Sequence, residues 1–489
     1  MNRKAQKRLL RIRLAIVYTA MVLVVVLLVT GLYFIIQGYR YNQYDGKFEQ
    51  GGLVQFGTFP SGADVRLDQV HLANKTPSSL TVGAGNHTVT MSEAGYDTWQ
   101  KAVTVRAGAV LWLDYARLVP QKLVATTPIK LAGAASGKVS YDTNTFAVIE
   151  NAAQPTVTLV GLNTDTPQSK QVTLPTGSYT APSAGESQTF KIVSWSYDNR
   201  YILIKHTYGT NVEWISLDTN NTSVAKNITT TLGVNATDVQ YTPNDANALY
   251  LLSTDGIVRK VDIDAKTMSG PLLTNVHDFS IYNTDTLVYT TNADPTTHVR
   301  TAGYLTPGAS APRVFYRTAP NDTAPLFASI NKYYGSYYEV IAHGTAVQIY
   351  TGSLTTSDTQ NPAPFSLVTT LALNAPVEYL GFSPDQHRFV YAGGSSSVVT
   401  YDLDSQQASP FTLQSPPLTQ LDWIDDFHFV TVEGTTLRMY DYDGTNGHDM
   451  MQNALPLDVS LLQDGKYLNA ITKTGSTVAI TRDTMIVGQ

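Results

Sequence analysis

Four tyrosines within six residues form the one unusual aromatic patch of this sequence. They are Tyr333, Tyr334, Tyr337 and Tyr338. Aromatic rings of this kind stack on sugars and on peptide groups, so we predict the patch as the candidate ligand-binding site. The alternative is packing. Side chains alternate along a strand, and some of these rings would then point into a core.

Pairs of aspartates separated by one residue recur in the chain, and carboxylates with this spacing occur in calcium-binding loops. The pairs are Asp262/Asp264, Asp402/Asp404 and Asp441/Asp443. Calcium takes six to eight oxygen ligands from a folded loop, and the segment that begins at Asp441 places Gly447 one position too late for an EF-hand. We interpret these pairs as hairpin turns. The adjacent Asp425 and Asp426 are likewise interpreted as turn residues rather than as an acid/base pair.

Local motifs for catalysis are absent from the sequence. It contains no G-x-S-x-G elbow, no H-E-x-x-H zinc motif, no P-loop and no dinucleotide glycine fingerprint. It has no cysteine, and its nine histidines never pair at i,i+2 or i,i+4, which weakens a local metal site. We therefore predict no enzyme activity, no catalytic residue, no cofactor and no metal. A site assembled from distant segments stays open as an alternative.

The composition points to strands rather than to helices. Only 15% of the 489 residues are charged, and neutral polar residues are abundant, as on the outer faces of many β-strands. Six of the 33 basic residues precede residue 14, which leaves 27 basic against 39 acidic residues in the rest of the chain. Because acidic residues outnumber basic residues in this part of the chain, the sequence argues against a nucleic-acid partner.

Residues 14–36 read LAIVYTAMVLVVVLLVTGLYFII and contain no charged side chain. As a helix this segment would be about 34 Å long, enough to cross a bilayer once. The basic residues before it predict a cytoplasmic tail at 1–13, with the rest of the chain outside. A cleaved signal peptide is the alternative, but its apolar part would be about 7–15 residues long and would end at small residues.

Residues 53–119 show short alternating strands separated by Gly, Pro and Asn turn signals, which predicts a small β-sandwich-like module. The module contains a characteristic set of residues: Pro60, Gly62, Ala63, Val65, Leu67, Asp68, Thr76, Pro77, Gly85, His87, Val89, Gly95, Tyr96 and Trp99. In these positions it resembles the PEGA domain of microbial surface proteins, with Ser61 in place of the acidic residue of the family's name. The resemblance implies a binding or spacer module at the cell surface without catalysis. It also implies packing roles for His87, Tyr96 and Trp99, which would otherwise read as a ligand cluster.

One phrase recurs eight times in residues 120–489: a turn with Asp or Asn, then an apolar strand. The copies begin at Ser140, Ser194, Tyr241, Ile281, Ile330, Phe382, Trp423 and Leu461. Their spacing is typical of the blades of a propeller of four-stranded sheets. We expect seven or eight blades, because a first or last copy can be shared when the ring closes.

The best copies of this phrase resemble the WD40-like, TolB-type β-propeller repeats. Ser383-Pro384-Asp385 is the closest match, with Gln386 in place of the usual Gly. Weaker copies are Ser196-Tyr197-Asp198-Asn199 and Gln463-Asp464-Gly465-Lys466. The resemblance implies a propeller more firmly than it implies any one family of propellers.

Together these features predict a mainly β chain, with a tail at 1–13, a transmembrane signal-anchor at 14–36, a linker at 37–52, a PEGA-like domain at 53–119 and a propeller at 120–489. The function we expect is non-catalytic binding or envelope organisation at the cell surface, with a cell-wall polymer or an envelope protein as partner. The alternatives are a scaffold subunit of an envelope complex and a glycan-active propeller enzyme.

Overall fold

The computed structural model describes residues 3–36, 39–42, 47–68, 70–354, 365–384, 386–417, 421–462 and 465–487. These residues form two compact units. One comprises the chain up to Lys122 together with Val487, and the other comprises Leu123–Ile486.

The first unit begins with one long helix, α1 (Arg3–Ile36). Within it, Ile12–Phe34 has a mean hydropathy of 2.7 and is not covered by any other part of the protein. The helix is thus long and apolar enough to cross a membrane. It starts at Arg3, so the basic residues expected to form a separate tail belong to the same helix.

The rest of the first unit is a two-layered β-module. Its strands are β1 (Tyr39–Asn42), β2 (Lys47–Phe59), β3 (Asp64–Leu67), β4 (Val70–His71), β5 (Ser78–Gly83), β6 (Gly85–Ser92), β7 (Trp99–Val105) and β8 (Val110–Arg117). In one sheet β2 pairs with β1, β5 and β8, and the other sheet has the order β4-β3-β6-β7. Residues 37–52, expected to be a linker, therefore include β1 and the first part of β2.

Alternating side chains of the two sheets form the core of this module, with Val54, Phe56, Val65 and Met91 buried. Tyr96 and Trp99 belong to the same core. His87 lies at its edge, with Nδ1 2.6 Å from a carboxylate oxygen of Asp68 and Nε2 2.8 Å from the carbonyl oxygen of Gly83. The structure thus places these three residues in packing and turn positions.

The second unit contains β9 (Val124–Leu131) and eight four-stranded antiparallel sheets in its described residues. The first four are blade 1, β10 (Ser136–Val139), β11 (Thr145–Ile149), β12 (Thr156–Gly161) and β13 (Gln168–Thr173); blade 2, β14 (Gln188–Trp195), β15 (Tyr201–Tyr208), β16 (Asn211–Asp218) and β17 (Ala225–Asn227), followed by α2 (Ile228–Leu232); blade 3, β18 (Ala236–Thr242), β19 (Asp245–Ser253), β20 (Val258–Asp262) and β21 (Thr267–Met268); and blade 4, β22 (Val276–Tyr282), β23 (Thr286–Thr291), β24 (Thr301–Leu305) and β25 (Arg313–Arg317).

The remaining sheets follow the same order. They are blade 5, β26 (Leu326–Tyr333), β27 (Ser336–His343), β28 (Ala346–Gly352) and β29 (Phe365–Ala372); blade 6, β30 (Tyr379–Phe382), β31 (Phe389–Gly394), β32 (Ser397–Asp402) and β33 (Gln407–Thr412); blade 7, β34 (Asp422–Trp423), β35 (His428–Glu433), β36 (Thr436–Asp441) and β37 (His448–Gln452); and blade 8, β38 (Ser460–Leu461), β39 (Tyr467–Thr474) and β40 (Thr477–Thr484), completed by β9. The fold is a β-propeller of eight blades, which confirms the predicted fold class.

The eight copies of the recurring phrase all mark the turn between the first and second strands of a blade. In blades 1 and 2 the hydroxyl of a serine at the end of the first strand, Ser140 or Ser196, donates to the aspartate two residues later, Asp142 or Asp198. The same hydroxyl accepts the backbone N–H of the first residue of the next strand. Ser383 accepts the N–H of Phe389 in the same way in blade 6, although Asp385, like Gln463 and Asp464, lies outside the described residues. A local turn with built-in acceptors explains why the phrase repeats.

The paired aspartates lie where the third strand of a blade turns into the fourth. Asp402 ends β32 and forms an ion pair with Arg388, with 2.7 Å between Nη2 and Oδ2. The equivalent pair in blade 2 is Arg200 with Asp218, also at 2.7 Å. Within the described residues no group of three or more acidic or histidine side chains is arranged to hold a metal ion.

Hydrophobic clusters lie between consecutive blades rather than inside single ones. One cluster joins Ile149 and Val157 of blade 1 to Ile192 and Ile204 of blade 2, and another joins Ile471 of blade 8 to blade 1. First strands of neighbouring blades contact one another, as β10 does with β14 and β26 with β30. The first strands therefore surround the axis of the ring.

Arg482 holds the last blade to the first. This buried residue of β40 donates to the side-chain oxygen of Asn469 at 2.8 Å and to the carbonyl oxygens of Thr164 and Leu162 at 2.6 and 2.5 Å. Both carbonyl groups belong to the loop after β12 of blade 1. One guanidinium group thus donates hydrogen bonds to acceptors in blade 8 and in blade 1.

Replacing this guanidinium tests its role. Arg482→Met removes the guanidinium donor to the two carbonyl oxygens and to the amide oxygen, and we expect the free energy of unfolding to fall by about 3 kcal/mol. Arg259→Met is the control, because Arg259 donates to the carbonyl oxygen of Ser269 within one blade. Urea unfolding of the full chain in detergent measures both. Equal losses in the two variants would contradict a special role for Arg482.

Glu339 gives the fold a predictable pH dependence. Its side chain is 1% exposed on β27, Oε1 has no hydrogen-bond partner among the described residues, and burial raises the carboxyl pKa to about 8 although Arg313 opposes the shift. The folded state therefore binds more protons than the unfolded state above the ordinary pKa of 4.5. Stability from this group is lost as the pH rises towards 8, by at most about 1.4 kcal/mol per pH unit.

Glu339→Gln removes this titration and keeps the shape of the protonated side chain. We expect the variant to gain stability relative to the parent chain as the pH rises from 5 to 8. Unfolding midpoints at three pH values measure the difference, with Glu378→Gln as an exposed control. A difference between variant and parent that does not change with pH would refute the buried-acid interpretation.

Candidate functional site

A cleft of about 670 Å³ opens where the first strands of blades 1, 2 and 7 meet the segment that leads into blade 8. It is lined by Ala134, Ala135, Ser136, Gly137, Lys138, Lys191, Ile192, Asp422, Leu455, Pro456, Leu457 and Asp458. Because first strands surround the ring axis, the cleft belongs to the central channel. This is the place where residues distant in sequence converge.

Four charged side chains line the cleft. Lys138 and Asp458 form an ion pair, with 2.7 Å between Nζ and Oδ1. The other carboxylate oxygen of Asp458 accepts the backbone N–H of Val139 at 3.2 Å. The carbonyl oxygen of Lys138 in turn accepts the indole N–H of Trp195 in blade 2 at 3.0 Å. Lys138 is therefore fixed from both sides and links blades 8, 1 and 2.

The other two charged side chains, Asp422 and Lys191, are not part of this ion pair. Among the described residues, no side chain forms an ion pair with Lys191 and none hydrogen-bonds to the Asp422 carboxyl. Burial raises the pKa of Asp422 to about 7; the charge of Asp458 adds to the shift and that of Lys138 opposes it. The cleft thus offers a free ammonium group and a carboxyl group that changes charge near neutral pH.

The polar groups of the lining differ in whether they are already engaged within the protein. Ser136 is the hydroxyl residue of the lining, and its oxygen accepts the backbone N–H of Ile192 at 3.1 Å, so it has a structural role. The lining contains no histidine or cysteine to activate or replace that hydroxyl. Ammonium and carboxyl groups are instead suited to hold a polar ligand by charge-assisted hydrogen bonds.

Two stacked tyrosines lie next to the cleft, in the turns that follow β10 and β14. The rings of Tyr141 and Tyr197 are 4.5 Å apart between centroids and inclined by 8°. They remain 54% and 42% exposed. Tyr141 follows Lys138 by three residues, or about 10 Å of extended chain. The two turns are also joined by the N–H of Asp142, which donates to the side-chain oxygen of Asn199 at 3.1 Å.

The four tyrosines predicted from the sequence do not converge on one surface. Tyr333 is buried, and Tyr338 packs on the same cluster between blades 5 and 6. Tyr337 points to the opposite face of the blade, where its ring lies 5.9 Å from that of Tyr282. Of the four, Tyr334 alone is mostly exposed, with 87% of the residue's surface accessible. It occupies the hairpin turn, with a φ of 43°. Their role in binding stays a prediction.

Sequence reasoning missed the cleft and the stacked pair. The cleft residues are spread over more than 300 positions and have no characteristic local spacing. The tyrosine pair did leave a signal, since Ser-Tyr-Asp occurs at both Ser140 and Ser196, at the same turn position of two successive repeats. Equivalent positions in adjacent blades are neighbours in a propeller.

Comparisons with known proteins identify the domain that follows the helix. Residues 52–120 match the family model described as the PEGA domain. Among solved structures, the chain is similar to the β-propeller domain of Cps50 (Swd1) from Myceliophteria thermophila, with 10% identity, a TM-score of 0.39, and coverage of 74% of this chain and 98% of that one. No curated protein sequence matches the chain. Residues 52–120 are therefore a PEGA domain.

Proposed function

We propose that this chain is a membrane-anchored protein of the cell surface that binds a ligand in the propeller channel without transforming it. The observation that carries the proposal is the cleft with its uncompensated Lys191 and Asp422 beside the fixed Lys138–Asp458 pair. Propellers suit such a role, because residues of several blades converge on one channel while the scaffold stays unchanged.

The membrane anchor in this proposal is α1. Its apolar stretch Ile12–Phe34 is long enough to cross a bilayer, and the six basic residues before it favour a cytoplasmic N-terminus. The PEGA domain, a module of surface proteins, follows this helix in the chain and supports an external location. The partner we favour is a cell-wall polymer or an envelope protein. The acidic balance of the chain beyond the helix argues against nucleic acid.

The topology is tested with protease added to intact spheroplasts. We expect nearly the whole chain beyond the helix to be digested, because only the basic N-terminal segment lies in the cytoplasm. An antibody against the propeller follows the loss, and a cytoplasmic protein serves as the control for intact membranes. Survival of the full-length chain would contradict an external propeller.

The binding site is tested by comparing two variants in sedimentation with purified cell-wall sacculi. Lys191→Gln removes the free ammonium group, and we expect its loss to weaken binding about 10- to 100-fold, as for one charge-assisted hydrogen bond of roughly 1.5–3 kcal/mol. Tyr334→Ser removes the exposed ring of the tyrosine patch and should leave binding unchanged. The opposite result would move the site to that patch.

Two further outcomes of this assay separate the alternatives. Release of soluble sugars from the sacculi by the purified chain would overturn the non-catalytic proposal. A scaffold role would be favoured by a different result. In that case the chain does not sediment with the sacculi, but mild crosslinking in cells joins it to a fixed protein partner.

A further inference from the structure

One sheet face of the PEGA domain carries exposed apolar side chains. In the sheet of β1, β2, β5 and β8, Leu53 lies opposite Val110, and Gln55 lies opposite Trp112. Val110 is 46% exposed and Trp112 is 49% exposed, whereas Leu53 is partly buried. The alternate residues Val54, Phe56 and Leu113 point into the core. Leu53, Val110 and Trp112 therefore form an apolar stripe on the outer face of this sheet, the stripe face.

The register of the sheet relates this face to the end of α1. The helix ends at Ile36, and β1 begins three residues later at Tyr39, which pairs with Gln50 of β2. Gln50 is thus level with the start of β1. From Gln50, β2 continues for nine more residues to Phe59, or about 30 Å, in the direction opposite to β1.

This geometry restricts the tilt of the sheet if α1 spans a membrane. If β1 ran straight away from the bilayer, the antiparallel β2 would return to the level of Gln50 and then enter the hydrocarbon with its partners β5 and β8. Open sheet edges do not occur there, because their unpaired backbone groups would lose hydrogen-bond partners. The polar side chains of Gln55 and Thr58 would also lose the water that solvates them. The strands must instead run nearly parallel to the membrane surface.

We propose that the stripe face lies on the membrane, with Leu53, Val110 and Trp112 in the headgroup region of the lipid leaflet from which the chain emerges. This inference rests on the proposed membrane anchoring. Tryptophan is enriched at this depth, where its ring is accommodated on the apolar side and its N–H on the wet side. The occupant of the stripe face is thus a lipid surface.

The order of residues along β8 agrees with this orientation. Val110 pairs with the β2 residue three positions after Gln50, and Trp112 pairs with the β2 residue five positions after it. The exposed Asp114 lies farther along β8. Apolar side chains are therefore nearest to the end of α1, and the acidic one is farthest away. At the end of α1, Phe34 packs edge-on against Tyr39 with 5.2 Å between ring centroids, which adds aromatic rings to the same interface.

The test uses the full chain reconstituted into phosphatidylcholine vesicles, with and without bromine on the acyl chains. Bromine quenches tryptophans that contact lipid. Four of the five tryptophans, 99, 195, 214 and 423, are buried or packed in protein clusters, so we expect the brominated vesicles to remove the share of emission that comes from Trp112. Trp112→Phe should abolish this quenching. Trp195→Phe, a change inside the propeller, should leave it intact.

The outcomes separate this inference from the proposal on which it rests. Extraction of the chain from the vesicles by alkaline carbonate would refute the anchor, and the docking with it. If the chain resists extraction but is not quenched, or if Trp112→Phe is quenched as strongly as the parent chain, the docking alone is overturned.

Discussion

The pairing of β9 with β40 is the constraint on which the rest of the propeller depends. These strands are more than 340 residues apart, and their register runs from Leu131 opposite Val478 to Val124 opposite Thr484. Every other blade is built from consecutive strands, whereas blade 8 is completed only when the whole chain has folded around the ring. The candidate site depends on the same closure, because the Lys138–Asp458 ion pair joins blade 1 to the segment before blade 8. Cleft and ring therefore form together.

Local turn chemistry explains how much of this fold could be predicted. In blades 1 and 2 the serine, aspartate and backbone groups that close the first turn lie within about six residues. The turn at this place in each of the eight blades is local in sequence, so the recurring phrase could be recognised. The closing strand left none: β9 reads VATTPIKL, with a mostly exposed pattern typical of an outer strand. This is why the sequence favoured seven or eight blades without deciding between them. The tyrosine cluster drew attention because it is local, whereas the cleft is assembled from four separate segments.

Blade 7 shows how the shared architecture tolerates different chemistry. In blades 2 and 6 an arginine just before the second strand pairs with an aspartate at the end of the third, as Arg200 does with Asp218. In blade 7 the residue just before the second strand is Phe427, and the next residue, His428, lies between Asp425 and Asp441. Burial lowers the pKa of His428, but the two carboxylates outweigh it and raise the pKa overall. The imidazole thus faces the carboxylate at the end of the third strand, which an arginine faces in blades 2 and 6.

The distribution of charge narrows the class of ligand that the cleft can hold. Beyond the helix the chain carries 27 basic and 39 acidic residues, so its long-range field repels polyanions although two lysines line the channel. Lys191 can therefore attract a compact anionic group only at short range, after the ligand has entered. Asp422, with a pKa of about 7, lies in the same cleft and favours a cationic or hydrogen-bond-donating group. If the cleft is the binding site proposed above, we expect its ligand to carry both an anionic group and a hydrogen-bond donor, as a peptide end or an amino sugar acid does.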